Sequence, residues 1–154
     1  MTRPLTDADL AHAALDAFRA QHGESRGASG LTPRTPVRVT RLDRPAAYVL
    51  VAIDDERGLR AIVQLSPETG DVESSALIRD RDSPFLVSAD TARAAAASAL
   101  PAKRGWGDPY LAWRPCRESF DSLRPLWVVP HADGQAFVTQ SLGVSEVLTT
   151  GKGG

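Results

Sequence analysis

Hydrophobic and polar positions follow two different periods along this chain, and the switches between them mark its elements. Leu10, Ala14, Ala17 and Phe18 recur at i, i+4, i+7 and i+8, the stripe of a helix over Thr6–Gln21 laid on a sheet. Thr6 stands where a cap is needed, Asp7 and Asp9 sit where the positive helix end favours acids, and Gly23 is the predicted stop. Residues 23–36, GESRGASGLTPRTP, carry almost no large apolar side chain and read as a mobile connection. The period then shortens to two. Strands are predicted at Val37–Leu42, Ala47–Ile53, Leu59–Leu65 and Asp71–Leu77, with turns at Asp54–Gly58 and at Ser66-Pro67-Glu68-Thr69-Gly70.

The same order returns after the charged link Arg79-Asp80-Arg81-Asp82. Ser88 caps a helix over Ser88–Leu100, rich in alanine and ended by Pro101. Strands follow at Tyr110–Cys116, Leu126–Val129, Gln135–Gln140 and Val144–Leu148, with turns at His131–Gly134 and before Gly143. A helix followed by antiparallel strands, stated twice, predicts an α+β fold of two related units. Each unit is expected to be one helix packed on an antiparallel sheet of three to four strands. The units are expected at residues 1–80 and 81–150, with a tail at 151–154.

The stretch IDDERGLRAIVQLSPETGDV resembles the hairpin of PepSY-like domains, in which a strand is followed by a Pro-Glu-Thr-Gly turn and a further strand. PLWVVPHADGQAFVTQSLGV, at Pro125–Val144, is similar to a worn copy of it, with Asp133-Gly134 at one turn and Gly143 at the next. The resemblance implies a cystatin-like sheet curved around a helix in each unit. It also implies a family whose members mostly bind, inhibit or regulate proteins, and it carries no catalytic residue across.

Composition narrows the function classes. With 42% hydrophobic and 24% charged residues, the 154-residue chain has enough apolar material for a core without disulfide staples. Eighteen basic residues against nineteen acidic ones leave no basic field, which argues against nucleic acid as a partner. The opening MTRPLTDADL has no apolar segment of the export type, and no run of about 18 apolar residues points to a membrane. The single Cys116 fits a reducing compartment, so the cytoplasm is expected.

Six of the nine aromatic residues lie beyond residue 105, and the polar-aromatic segment Trp113–Trp127 is the candidate site. Its candidate partner-binding residues are Trp113, Arg114, Arg117, Glu118, Phe120 and Trp127, because Trp, Tyr and Arg dominate interface hot spots. The same rings serve equally to fill the core of the second unit. Arg114 and Arg117 offer donor forks to a carboxylate or phosphate, with Glu118 and Asp121 as their nearest internal partners. Cys116 reads as a buried, inert thiol, since its flanking arginines on a strand point away from it. His12, His22 and His131 are scattered, so no metal or other cofactor is expected, and no catalytic residue. Asp54-Asp55-Glu56 reads as a solvated hairpin tip, and Gly105-Trp106-Gly107 lacks the helix start of a phosphate loop.

These readings predict a non-catalytic protein- or peptide-binding module of accessory, inhibitor or immunity type, as monomer or homodimer. An extended peptide is expected to add to a strand edge near Trp113–Arg117. The alternative is a small-molecule binder or small enzyme. Its apolar pocket would be lined by Trp113, Trp127 and Phe137, with Arg114, Glu118 or His131 turned inward. A third reading is a subunit whose duplication is wholly structural.

Overall fold

The computed structural model describes residues 3–22, 30–80 and 84–150. The predicted helix stop at Gly23, the start of the connection at 23–29, Arg81 and Asp82 of the charged link, and the tail at 151–154 lie outside the described residues. The chain divides into two units, residues Met1–Arg38 with Ala47–Phe85 and residues Val39–Ala46 with Leu86–Gly154.

In the first unit, α1 (Asp7–His22) begins at a reciprocal cap. Thr6 Oγ1 accepts the Asp9 amide at 3.1 Å, and the Asp9 carboxylate accepts the Thr6 amide at 2.9 Å. Hydrogen bonding from the Thr6 amide and the Thr6 hydroxyl holds the Asp9 carboxyl below its ordinary range, with Arg3 adding to it. Leu10, Ala14, Leu15 and Phe18 are buried, whereas the predicted Ala17 is only half-buried. They pack on Val49, Val51 and Ile53 of β3 (Ala47–Asp55) and on Ala61, Val63 and Leu65 of β4 (Gly58–Leu65). The residues that alternate with these in β3, namely Tyr48, Leu50 and Ala52, are also buried. A strand enclosed on both faces requires a continuous apolar run, and Ala47–Ile53 supplies it.

Asp54 and Asp55 belong to β3, and the β3–β4 turn is Glu56-Arg57 alone, with Asp55 opposite Gly58 at φ 115°. The second turn closes as predicted through Ser66. Its carbonyl accepts the Gly70 amide at 2.8 Å, and β5 (Val72–Leu77) follows. The stretch expected to be a mobile connection contains β1 (Thr32–Pro33), antiparallel to β3. Arg34 extends that pairing, its amide donating to Ala52 O at 2.8 Å and its guanidinium holding Asp54 at 2.7 and 2.8 Å.

The second unit holds α2 (Ala89–Ala99), β6 (Tyr110–Trp113), β7 (Leu126–His131), β8 (Gly134–Val138) and β9 (Val144–Ser145). Ser88 caps α2 by accepting the Thr91 amide at 3.1 Å. The strands present two apolar faces. Ala92 and Ala96 pack on Val129, Ala136 and Val138 on one side, with Trp106 and Trp127 at the margin. Ala112, Leu126, Val128 and Phe137 form the other side together with Cys116 and Leu148. The late residues of β2 (Val37–Arg41) enter this unit, with Thr40 opposite Ala112 and Arg41 opposite Trp113 in a parallel pair.

The expectation of two helix-on-sheet units, each with its own antiparallel sheet of three to four strands, is corrected here. Among the described residues nine strands share one hydrogen-bonded order, β5-β4-β3-β2-β6-β7-β8-β9, with β1 on β3, and the helices supply only 16 and 11 residues. The fold is dominated by its sheet and is not a pair of cystatin-like units. The cause is that hairpin signals are local, whereas the parallel β2–β6 pair joins residues about 70 positions apart in sequence and leaves no turn signature.

Gly70 gives a test of the turn that leads into β5. It sits at φ 75°, and an added Cβ would come within 3.3 Å of Leu5 Cδ1. Gly70→Ala is expected to destabilise the protein by about 1–2 kcal/mol in urea unfolding, and Gly70→Asn by less, because Asn tolerates the left-handed region. Equal stability of all three proteins would contradict this account of the turn.

Candidate functional site

The segment after β6 is organised by its own polar atoms. Trp113 is buried, its indole N–H donates to Ser119 O at 3.2 Å, and Arg41 stacks 4.9 Å above the ring. Asp43 grips the Arg41 guanidinium at 2.9 and 2.8 Å, and that bond holds the Asp43 carboxyl below its ordinary range. The Cys116 thiol donates to the same Ser119 carbonyl at 3.5 Å, and its burial pushes its pKa up, which is the condition of an inert thiol. The Ser119 hydroxyl donates to Arg124 O at 2.7 Å, and the Asp121 carboxylate accepts the Leu123 amide at 2.9 Å. A loop so bonded holds Phe120 outward, 77% exposed.

Arg114 and Glu118 reach the main chain of residues 148 and 149. Arg114 Nη2 donates to Leu148 O at 2.9 Å, and the Glu118 carboxylate accepts the Thr149 amide at 3.0 Å and its hydroxyl at 2.9 Å. The Arg117 amide donates to Thr149 O at 3.0 Å, while the residue itself is exposed. The internal partners of Arg114 and Glu118 are therefore Leu148 and Thr149, where the sequence suggested that the arginines would pair with Glu118 and Asp121. Trp127 is half-buried and its indole donates to Val87 O at 2.9 Å. Gln140 completes this corner, accepting the Val87 amide and donating to Pro125 O, both at 2.8 Å.

Beside this loop lies an open cleft of about 420 Å³. Glu118, Ser119, Phe120, Asp121 and Arg124 line one wall, and Thr139, Gln140 and Ser141 of the β8–β9 turn line the other. Of the six candidate residues, Glu118 and Phe120 meet at this cleft, and Trp113, Arg114, Arg117 and Trp127 are not among its lining. Sequence reading missed the β8–β9 wall. Its one signal was Gly143, whose carbonyl accepts the Thr139 amide at 2.9 Å in a turn that forces Leu142 to φ 68°.

Other expectations about this region are resolved by position. β6 ends at Trp113, short of the expected Cys116, and lies between β2 and β7, so Arg114–Arg117 is outside the sheet and β6 offers no free edge. Trp113 and Phe137 are buried, and His131 sits at the β7–β8 turn with Nδ1 accepting the Asp133 amide at 3.2 Å and its ring edge-on to Trp106. The cleft lining therefore offers two carboxylates, one guanidinium, hydroxyls and an aromatic ring. Among the described residues no helix is long and apolar enough to cross a membrane.

No protein family, curated protein or solved structure matches the chain. The PepSY-like resemblance rests on the turn residues quoted for it.

Two outcomes follow from these bonds. Gln140→Ala strips the partner from the Val87 amide and from Pro125 O, and is expected to lower stability by about 2 kcal/mol in denaturant unfolding. A loss below about 0.5 kcal/mol would show that water replaces both bonds. The second concerns Glu118. Burial pushes its pKa up, but the Thr149 amide, its own amide and the Thr149 hydroxyl outweigh that and set it below the ordinary glutamate range. A depressed carboxyl contributes stability that is complete above its unfolded value and is lost as pH falls through the folded one. The Thr149 amide resonance is expected to titrate in that acidic window, and to stay flat in Glu118→Gln.

Proposed function

We propose that the chain is a non-catalytic protein- or peptide-binding module of the cytoplasm, and that the cleft beside Phe120 is its recognition surface. The observation that carries this reading is Phe120 itself. A loop with internally bonded turns holds a phenyl ring 77% exposed at the mouth of a cleft, while Trp113 nearby is buried. Covering such a ring is worth about 1.5–3 kcal/mol to a partner. A preorganised loop keeps the entropic cost of that contact low. Glu118, Asp121 and Arg124 at the rim supply direction to polar groups. The mechanism is occlusion or presentation of the bound segment. A lone, buried, reduced Cys116 accords with a reducing compartment.

One observation favours a second reading, the binding of a small molecule at the same place. The cleft volume of about 420 Å³ falls within the range of ligand sites. Phage-displayed random peptides selected on the intact chain separate the two. The binding-module reading expects enriched peptides whose affinity falls at least about tenfold on Phe120→Asp, with melting temperature unchanged. Peptides that bind both proteins equally would remove the cleft from the proposal. Failure to enrich any peptide, with a small molecule retained in native mass spectrometry, would favour the second reading.

A further inference from the structure

A separate surface lies in the first unit, at the outer edge of β5. Among the described residues this strand ends the hydrogen-bonded order and pairs with β4 alone, Ala61 opposite Leu77, Ile62 opposite Ala76 and Val63 opposite Ser75. The Ile78 amide donates to Arg60 O at 2.9 Å. Antiparallel ladders alternate inward and outward positions, so Ala76 shares that inward phase and the backbone groups of Ser75 and Leu77 point away from β4.

Three features surround these outward groups. Val72 and Leu77 are 42% and 46% exposed on the α1 side of the strand, since they stand opposite the core residues Leu65 and Ala61. Next to them is a notch of about 120 Å³, lined by Ala17, Phe18, Gln21, Val63, Val72 and Ser75. Finally, Ala61–Ile78 contains Glu68, Asp71 and Glu73 and no Lys, Arg or His. All three acids are exposed, and Glu73 lies on the face away from the notch, beside Gln64.

We propose that the β5 edge is a strand-addition site for an extended basic segment of another protein. The segment pairs with the outward amides and carbonyls of Ser75 and Leu77. One aliphatic side chain enters the notch, and the residues on either side of it, Lys or Arg, turn to the opposite face toward Glu73. A space of this size suits one branched aliphatic chain. The occupant is not a second copy of β5, because that strand would bring the same acids with it. The ladder irregularity between Gln64 and Leu65 also confines regular pairing to Ser74–Leu77, which makes the site short. This surface is independent of the Phe120 cleft, and either stands without the other.

The test uses the intact chain and a terminally blocked heptapeptide alternating Lys and Val, beside its Glu/Val counterpart. The Lys peptide is expected to shift the amide resonances of β5 and to slow exchange of the Ser75 and Leu77 amides, and the Glu peptide to do neither. Ser75→Pro removes an outward amide that β4 does not use, and is expected to weaken binding by about tenfold. Glu73→Lys, which leaves the backbone intact if the proline variant fails to fold, is expected to reverse the preference between the peptides. Equal binding of the two peptides, shifts centred away from β5, or unchanged binding by both variants would overturn the proposal.

Discussion

The second unit is built on the parallel pairing of Thr40 and Arg41 with Ala112 and Trp113. That pairing fixes where β6 stops, and so where the chain leaves the sheet. It also brings Arg41 over the Trp113 ring, with Asp43 holding the guanidinium in place. With Arg41 stacked on the buried Trp113 ring, the indole N–H donates to Ser119 O. The turn at Asp121–Arg124 and the outward ring of Phe120 lie just beyond that anchor.

The loop spends nearly all its polar groups on the main chain. Trp113, Arg114, Glu118, Ser119 and Trp127 each bond a backbone group. Such contacts stabilise a segment without regular structure in the way that ladder bonds stabilise a strand. The arrangement leaves one aromatic ring and a few charges for the outside.

The parts of the fold that were legible in the sequence are those with local causes. Thr6 and Ser88 cap helices because a hydroxyl at that position meets orphan amides, and Gly58, Gly70 and Gly134 stand at φ 115°, 75° and 150°. β1 escaped notice because a strand of two residues, one of them Pro33, carries no alternation, and its pairing depends on β3 being there to accept it. The site was half legible. Trp, Arg and Glu are the residue types of interfaces and equally of clasps on the main chain, and only the positions of Leu148, Thr149 and Val87 separate the two uses. Phe120 differed from its neighbours by having no bond to make.

The clasp between Glu118 and Thr149 spans 31 residues. A nascent chain extrudes the loop first and the residues that brace it last. The Phe120 wall therefore emerges from the ribosome unbraced, and gains its shape only when Leu148 and Thr149 clear the exit tunnel. The cleft surface is in this sense finished late, since the residues that brace its wall are made only after the strands beneath it.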